Sequence, residues 1–152
     1  MNRLDLITLD DQHNTSDCLF RYGVFVNLSI QKQNANLNND FAVNGVALID
    51  TGCEITSIHP DVVDQLNLVH SGTGSVIEVD NKTACTFFNA RFAICFPNRP
   101  LIIDIDNTPT APSLKEFEHL ENCIAIVGRD ILQHCILTYN GIAKTASLEY
   151  PD

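Results

Sequence analysis

The sequence predicts a mainly β protein with one or two short helices. Three observations carry this. Apolar and β-branched residues recur in runs of strand length, and at Val24, Val26, Leu28 and Ile30 they alternate with the period of a half-buried strand. Turn-forming residues interrupt these runs about every ten residues, the rhythm of an all-β chain. Helical signals are confined to a segment after Pro60 and another after Gly128. With 152 residues, of which 45% are hydrophobic, the chain can bury a core of its own. The expected organisation is a lead-in over residues 1–17 and a single domain over residues 18–152.

The lead-in is polar and acidic, and Leu4, Leu6 and Leu9 supply at most a short edge strand. Cys18–Ile30 has the aromatic and β-branched bias of a strand. Gln31–Asp40 is rich in Asn and reads as a loop. Phe41–Val46 is a strand, or a hairpin turn at Asn44-Gly45. Val46, Ala47, Leu48 and Ile49 form a continuous apolar run, as in a strand buried on both faces. A helix of about two turns is expected from Pro60 to Leu66, because Pro suits the first helical position and Asp61 the positive end of the helix dipole. His59 reads as its cap or as a surface residue. Val69–Val79 has Gly72 and Gly74 among small polar residues, which suggests a flexible hairpin tip at Ser71–Ser75. Asn81-Lys82 suggests another turn. Strands are expected at Thr86–Cys95 and Leu101–Ile105, then a loop over Asn107–Glu118. A buried strand leads into Gly128, followed by a short helix over Arg129–His134. Cys135–Tyr139 and Ile142–Tyr150 flank a hairpin turn at Asn140-Gly141.

Composition excludes several classes. The 19 acidic against 9 basic residues give a net charge of −10, which repels nucleic acid. No uncharged apolar run reaches the roughly 18 residues of a membrane span. Residues 1–14 carry Asp5, Asp10 and Asp11 and lack the apolar centre of a secretory signal, so the expected compartment is the cytoplasm. Six cysteines occur, at positions 18, 53, 85, 95, 123 and 135, with no CxxC pair. Small buried hydrophobes are their expected role, and neither a disulfide framework nor a zinc site is expected. His119 and Cys123 are spaced to share a helical face, but two such residues do not make a metal site.

Two stretches point to chemistry. In Val46–Ile58 an apolar strand runs into Asp50-Thr51-Gly52, and a strand-like pattern then resumes. A carboxylate at the end of a buried strand is costly unless it is hydrogen-bonded or shared. Asp-Thr-Gly alone would read as a surface turn. The second stretch, 124–132, is Ile-Ala-Ile-Val-Gly-Arg-Asp-Ile-Leu, again a buried strand that ends at a glycine and opens a short helix. Together the two resemble the retropepsin-like aspartic proteases, over about Phe41 to Tyr150.

The resemblance implies a retropepsin-like acid protease barrel and a homodimer with one catalytic Asp per subunit. It makes Asp50 the catalytic carboxylate, with Thr51, Gly52, Glu54, Gly128 and Arg129 supporting the active-site loop. Glu54 and Arg129 are expected to pair beneath it. Ser71, Gly72, Thr73, Gly74 and Ser75 fall where the family has its substrate-binding flap. Cys53 departs from the usual Ala. The implied partners are a second copy of the chain and a peptide or protein substrate, with no nucleic acid and no membrane. No cofactor and no metal are expected.

The chemistry agrees with a dimer. Aspartic proteolysis needs two carboxylates that share a proton, one to activate water and one to polarise the scissile carbonyl. The chain has one Asp-Thr-Gly, so a second copy must supply the other. The competing expectation is a catalytically inactive retropepsin-fold domain that dimerises for binding or assembly.

Overall fold

A computed structural model describes residues 2–36, 40–78, 81–116 and 123–151. Strand β1 (Asn2–Asp5) opens the chain and is followed by a single helical turn, α1 (Leu19–Tyr22). Then come β2 (Phe25–Gln31), β3 (Val43–Ile49), β4 (Ser57–Ile58), α2 (Pro60–Leu66), β5 (Val69–Glu78), β6 (Asn81–Ile94) and β7 (Leu101–Pro109). The remaining elements are α3 (Ser113–Glu116), β8 (Cys123–Val127), α4 (Arg129–Leu132), β9 (Ile136–Asn140) and β10 (Thr145–Tyr150). The chain is mainly β, as its sequence predicts.

The larger sheet has the order β4-β8-β3-β2-β6-β5, and β7 also pairs with β6. Neither this sheet nor the smaller one, β1-β10-β9, closes on itself among the described residues. β6 is long enough to serve two neighbours along one edge: residues from Asn81 to Asn89 pair with β5, and Arg91–Ile94 pair with β2. At the centre, β3 and β8 run parallel, with Ala47 opposite Ala125 and Ile49 opposite Val127. A parallel pair requires a long connection, and here everything from β4 to α3 lies between the two strands.

One core joins both sheets. Ile30, Ile58, Ala125, Val127 and Leu148 are fully buried in it, together with Val62, Val63 and Leu66 from α2. β3 is less enclosed than its composition suggests: Ala47 and Ile49 are buried, but Val46 and Leu48 are half-buried and Asn44 is exposed.

Several expectations need correction. Cys18–Ile30 is not one strand. Leu19 turns into the core from α1, and Gly23, at φ +78°, reverses the chain before β2 begins. The segment after Asn107 is not all loop, because β7 runs on to Pro109 and α3 follows; residues 117 and 118 lie outside the described residues. Asn81-Lys82 is no turn but the start of β6, and Ser71–Ser75 is no hairpin tip but the middle of β5. Val79, at the end of the expected tip segment, and His119, weighed above as a metal ligand, both lie outside the described residues. By contrast, α2 spans Pro60–Leu66 as expected. His59 caps it, its Nδ1 accepting the Asp61 N–H at 3.0 Å. Among the described residues no helix is long and apolar enough to cross a membrane.

Candidate active site

The site grows from the central parallel pair. The Asp50 N–H extends the β3–β8 ladder by donating to the Val127 carbonyl at 3.0 Å. The chain then leaves the sheet, and the Cys53 N–H turns back to the Asp50 carbonyl at 3.2 Å. This tight turn leaves Thr51 and Gly52 exposed and the Asp50 side chain half-buried. Each carboxylate oxygen has a donor: the Gly52 N–H reaches Oδ1 at 2.8 Å, and the Cys53 thiol reaches Oδ2 at 3.2 Å. A Cβ at position 52 would stand 3.0 Å from Oδ1, so glycine suits the close approach of backbone to carboxylate.

The second motif clasps this loop. Helix α4 begins with backbone N–H groups that no helical carbonyl can accept. Two of them are taken by the loop: Arg129 donates to the Cys53 carbonyl at 2.9 Å, and Asp130 to the Glu54 carbonyl at 3.2 Å. For this contact position 128 must lack a side chain. A Cβ there would lie 2.7 Å from the Ile55 carbonyl carbon and 2.9 Å from the Thr56 nitrogen. Arg129 adds a side-chain bracket, its Nη1 donating to the carbonyls of Thr51 at 2.9 Å and Gly52 at 3.2 Å.

Glu54 and Arg129 do not form the expected ion pair among the described residues. Arg129 instead saturates loop carbonyls, and Glu54 is exposed. The clasp is completed by two residues that sequence reasoning passed over, Thr56 and Asp130. Fully buried Thr56 gives its N–H to Asp130 Oδ2 at 2.9 Å and its hydroxyl to Oδ1 at 2.6 Å. Its hydroxyl oxygen also accepts the Gly128 N–H at 3.0 Å. The signal was present: a polar residue inside an apolar, strand-like stretch needs a partner once buried.

The expected flap residues lie on a hairpin of β5 and β6, paired as far as Glu78 and Asn81. A register shift between His70 and Gly72 bulges β5 at Ser71. Gly72 has open space around it, whereas the ring of Phe87 fills the place where a Gly74 Cβ would sit, with Cε2 at 2.5 Å. Ser71, Thr73 and Ser75 are exposed.

No disulfide links the cysteines. Burial pushes the Cys123 thiol up to about 12 and the Cys135 thiol to about 11. Among the described residues, no group of three or more His, Cys, Asp or Glu side chains is placed to hold a metal.

No protein-family model matches the chain, and no curated protein matches it. Among solved structures, the crystal structure of a retropepsin-like aspartic protease from Rickettsia conorii is similar, with a TM-score of 0.52 and 13% sequence identity over 98% of this chain and 91% of that one. At this identity the likeness speaks for architecture: the chain has a mainly β, retropepsin-like fold.

Proposed function

We propose that the chain is an aspartic endopeptidase whose active site forms on the two-fold axis of a homodimer, one Asp50 from each copy. The observation that carries this is the Asp50 loop itself. A carboxylate leaves the end of a central strand, is held by one donor on each oxygen, and is followed by exposed Thr51 and Gly52 on a loop clasped from behind. One such loop per chain cannot split an amide, and two facing loops can. Paired carboxylates cannot both ionise at close range, so the dyad holds one shared proton. The ionised member takes a proton from water as that water attacks the peptide carbonyl, and the protonated member donates toward the carbonyl oxygen.

In this reading Thr51 and Gly52 meet their counterparts near the axis. The β5–β6 hairpin covers an extended peptide, with Ser71, Thr73 and Ser75 available to it. The thiols, Cys53 among them, suit a reducing compartment such as the cytoplasm.

The test has two parts. Sedimentation equilibrium at micromolar concentration is expected to give about twice the 16.8 kDa chain mass. Wild type and Asp50→Asn are then incubated with a mixed peptide library from about pH 4 to pH 7, and the products are read by mass spectrometry. Cleavage by wild type and none by Asp50→Asn is expected. Equal cleavage by both would exclude Asp50 as the catalyst. A confirmed dimer that cleaves nothing would favour a binding or assembly domain built on the same fold.

A further inference from the structure

The thiol of Cys53 has a specific relation to the candidate catalytic group. Its Sγ is 3.2 Å from Asp50 Oδ2, while the Gly52 N–H occupies Oδ1. The turn fixes this geometry, because the Cys53 N–H is itself bonded to the Asp50 carbonyl and the Cys53 carbonyl accepts from Arg129. Both backbone groups of Cys53 are therefore tethered, and its half-buried side chain is directed along the carboxylate.

We infer that Cys53 is a positioning residue for Asp50, its S–H donating to Oδ2 and holding the carboxylate in the orientation that the turn sets. This rests on the reading of Asp50 as the catalytic group. The thiol touches no substrate and acts through Asp50. Alanine would fit the position but offer no donor, leaving Oδ2 without this partner.

Among the described residues, the charged groups that the neighbouring elements bring to the loop have other partners or are exposed. Helix α4 brings Arg129, whose guanidinium is on the Thr51 and Gly52 carbonyls, and Asp130, whose carboxylate is turned to Thr56 and the Ile131 N–H. Glu54, on the loop itself, is exposed. The flanking strand β8 carries one titratable side chain, Cys123, buried in the core. In the proposed dimer the partner's Asp50 adds a further charge, and the two carboxyls titrate as a unit.

A donor to a carboxylate stabilises its charged form, so its loss moves titration upward. S–H is a weak donor, and Cys53→Ala removes it. Serine retains a donor and is expected to leave the midpoint at or below that of wild type. The experiment follows the Asp50 carboxyl by carbon-13 NMR against pH in wild type, Cys53→Ala and Cys53→Ser, assigning the signal by its loss in Asp50→Asn. The acid limb of kcat/KM is measured in parallel and is expected to shift in the same order. A raised midpoint in the alanine protein with restoration by serine supports the role. Equal midpoints in all three overturn it, whatever happens to turnover, and leave Cys53 as packing. Cys53→Val gives the same comparison should the alanine protein fail to fold. Absence of cleavage by wild type would overturn the protease reading, and the NMR titration would still decide what Cys53 does.

Discussion

Thr56 and Asp130 are 74 residues apart in sequence, yet the Thr56 hydroxyl and N–H both end on the Asp130 carboxylate, at 2.6 and 2.9 Å. Asp130 Oδ1 also accepts the Ile131 N–H at 2.9 Å. This one carboxylate ties the loop that carries Asp50 to the helix behind it.

The first prediction concerns that tie. In Asp130→Ala, the N–H and hydroxyl of buried Thr56 lose the Asp130 carboxylate, and the Ile131 N–H keeps only its longer bond to the Gly128 carbonyl at 3.3 Å. Buried donors left unmade cost about 1–3 kcal/mol each in the worst case, and partial rescue by water reduces the sum. Urea unfolding is expected to show a loss of roughly 2–4 kcal/mol, with Thr56→Val somewhat milder. An unchanged midpoint in both would mean that the tie contributes nothing.

The second concerns Gly128. An added methyl would have to displace the Ile55–Thr56 backbone, which lies as close as 2.7 Å to it, and backbone cannot swing aside as a side chain can. Gly128→Ala is expected to destabilise by about 1–3 kcal/mol and to reduce turnover further by moving the Asp50 loop. Wild-type stability and activity in this variant would show that the clasp is loose.

The third separates two glycines that look alike in sequence. Gly72→Ala enters open space and is expected to change thermal stability little. Gly74→Ala meets the Phe87 ring and is expected to lower the melting temperature and re-orient that ring. Melting curves and the Phe87 ring signals by NMR check both; equal behaviour of the two variants would contradict the packing described.

The fourth uses the buried thiols. Cys123 titrates at about 12 in the folded chain against an ordinary 9.0, because burial disfavours the thiolate. The unfolded chain therefore releases this proton first as pH rises. Stability is fully present below about pH 9 and falls between about 9 and 12, by at most roughly 1.4 kcal/mol per pH unit for this group. Cys123→Ser is expected to flatten that decline in urea titrations at alkaline pH. Iodoacetamide at pH 8 is expected to label exposed Cys95 well before Cys123. Rapid labelling of Cys123 in the folded chain would contradict its burial.

How far the sequence could be read depended on the range of the forces involved. Helix α2 was legible because Pro60, Asp61 and the His59 cap act within a few residues. The loop at Asp50 and the turn at Gly128 were legible because apolar strands end there abruptly. The single turn of α1 was not, since Leu19 is recruited by a core assembled from distant strands. Gly72 and Gly74 suggested a hairpin tip, but Gly74 is needed to admit Phe87, a purpose that chain-local reasoning cannot see. The same holds for Arg129. The family resemblance suggested Glu54 as its partner, and only the folded loop presents the Thr51 and Gly52 carbonyls that it binds.

The parallel pairing of β3 with β8 sets an order of events during synthesis. Asp50 leaves the ribosome long before residues 123–130 are made, and until then its loop has neither a neighbouring strand nor a clasp. Contacts of such long sequence separation form late, because closing the intervening chain costs entropy before any pairing rewards it. A nascent chain therefore carries its Asp50 carboxylate unassembled until β8 and α4 have emerged.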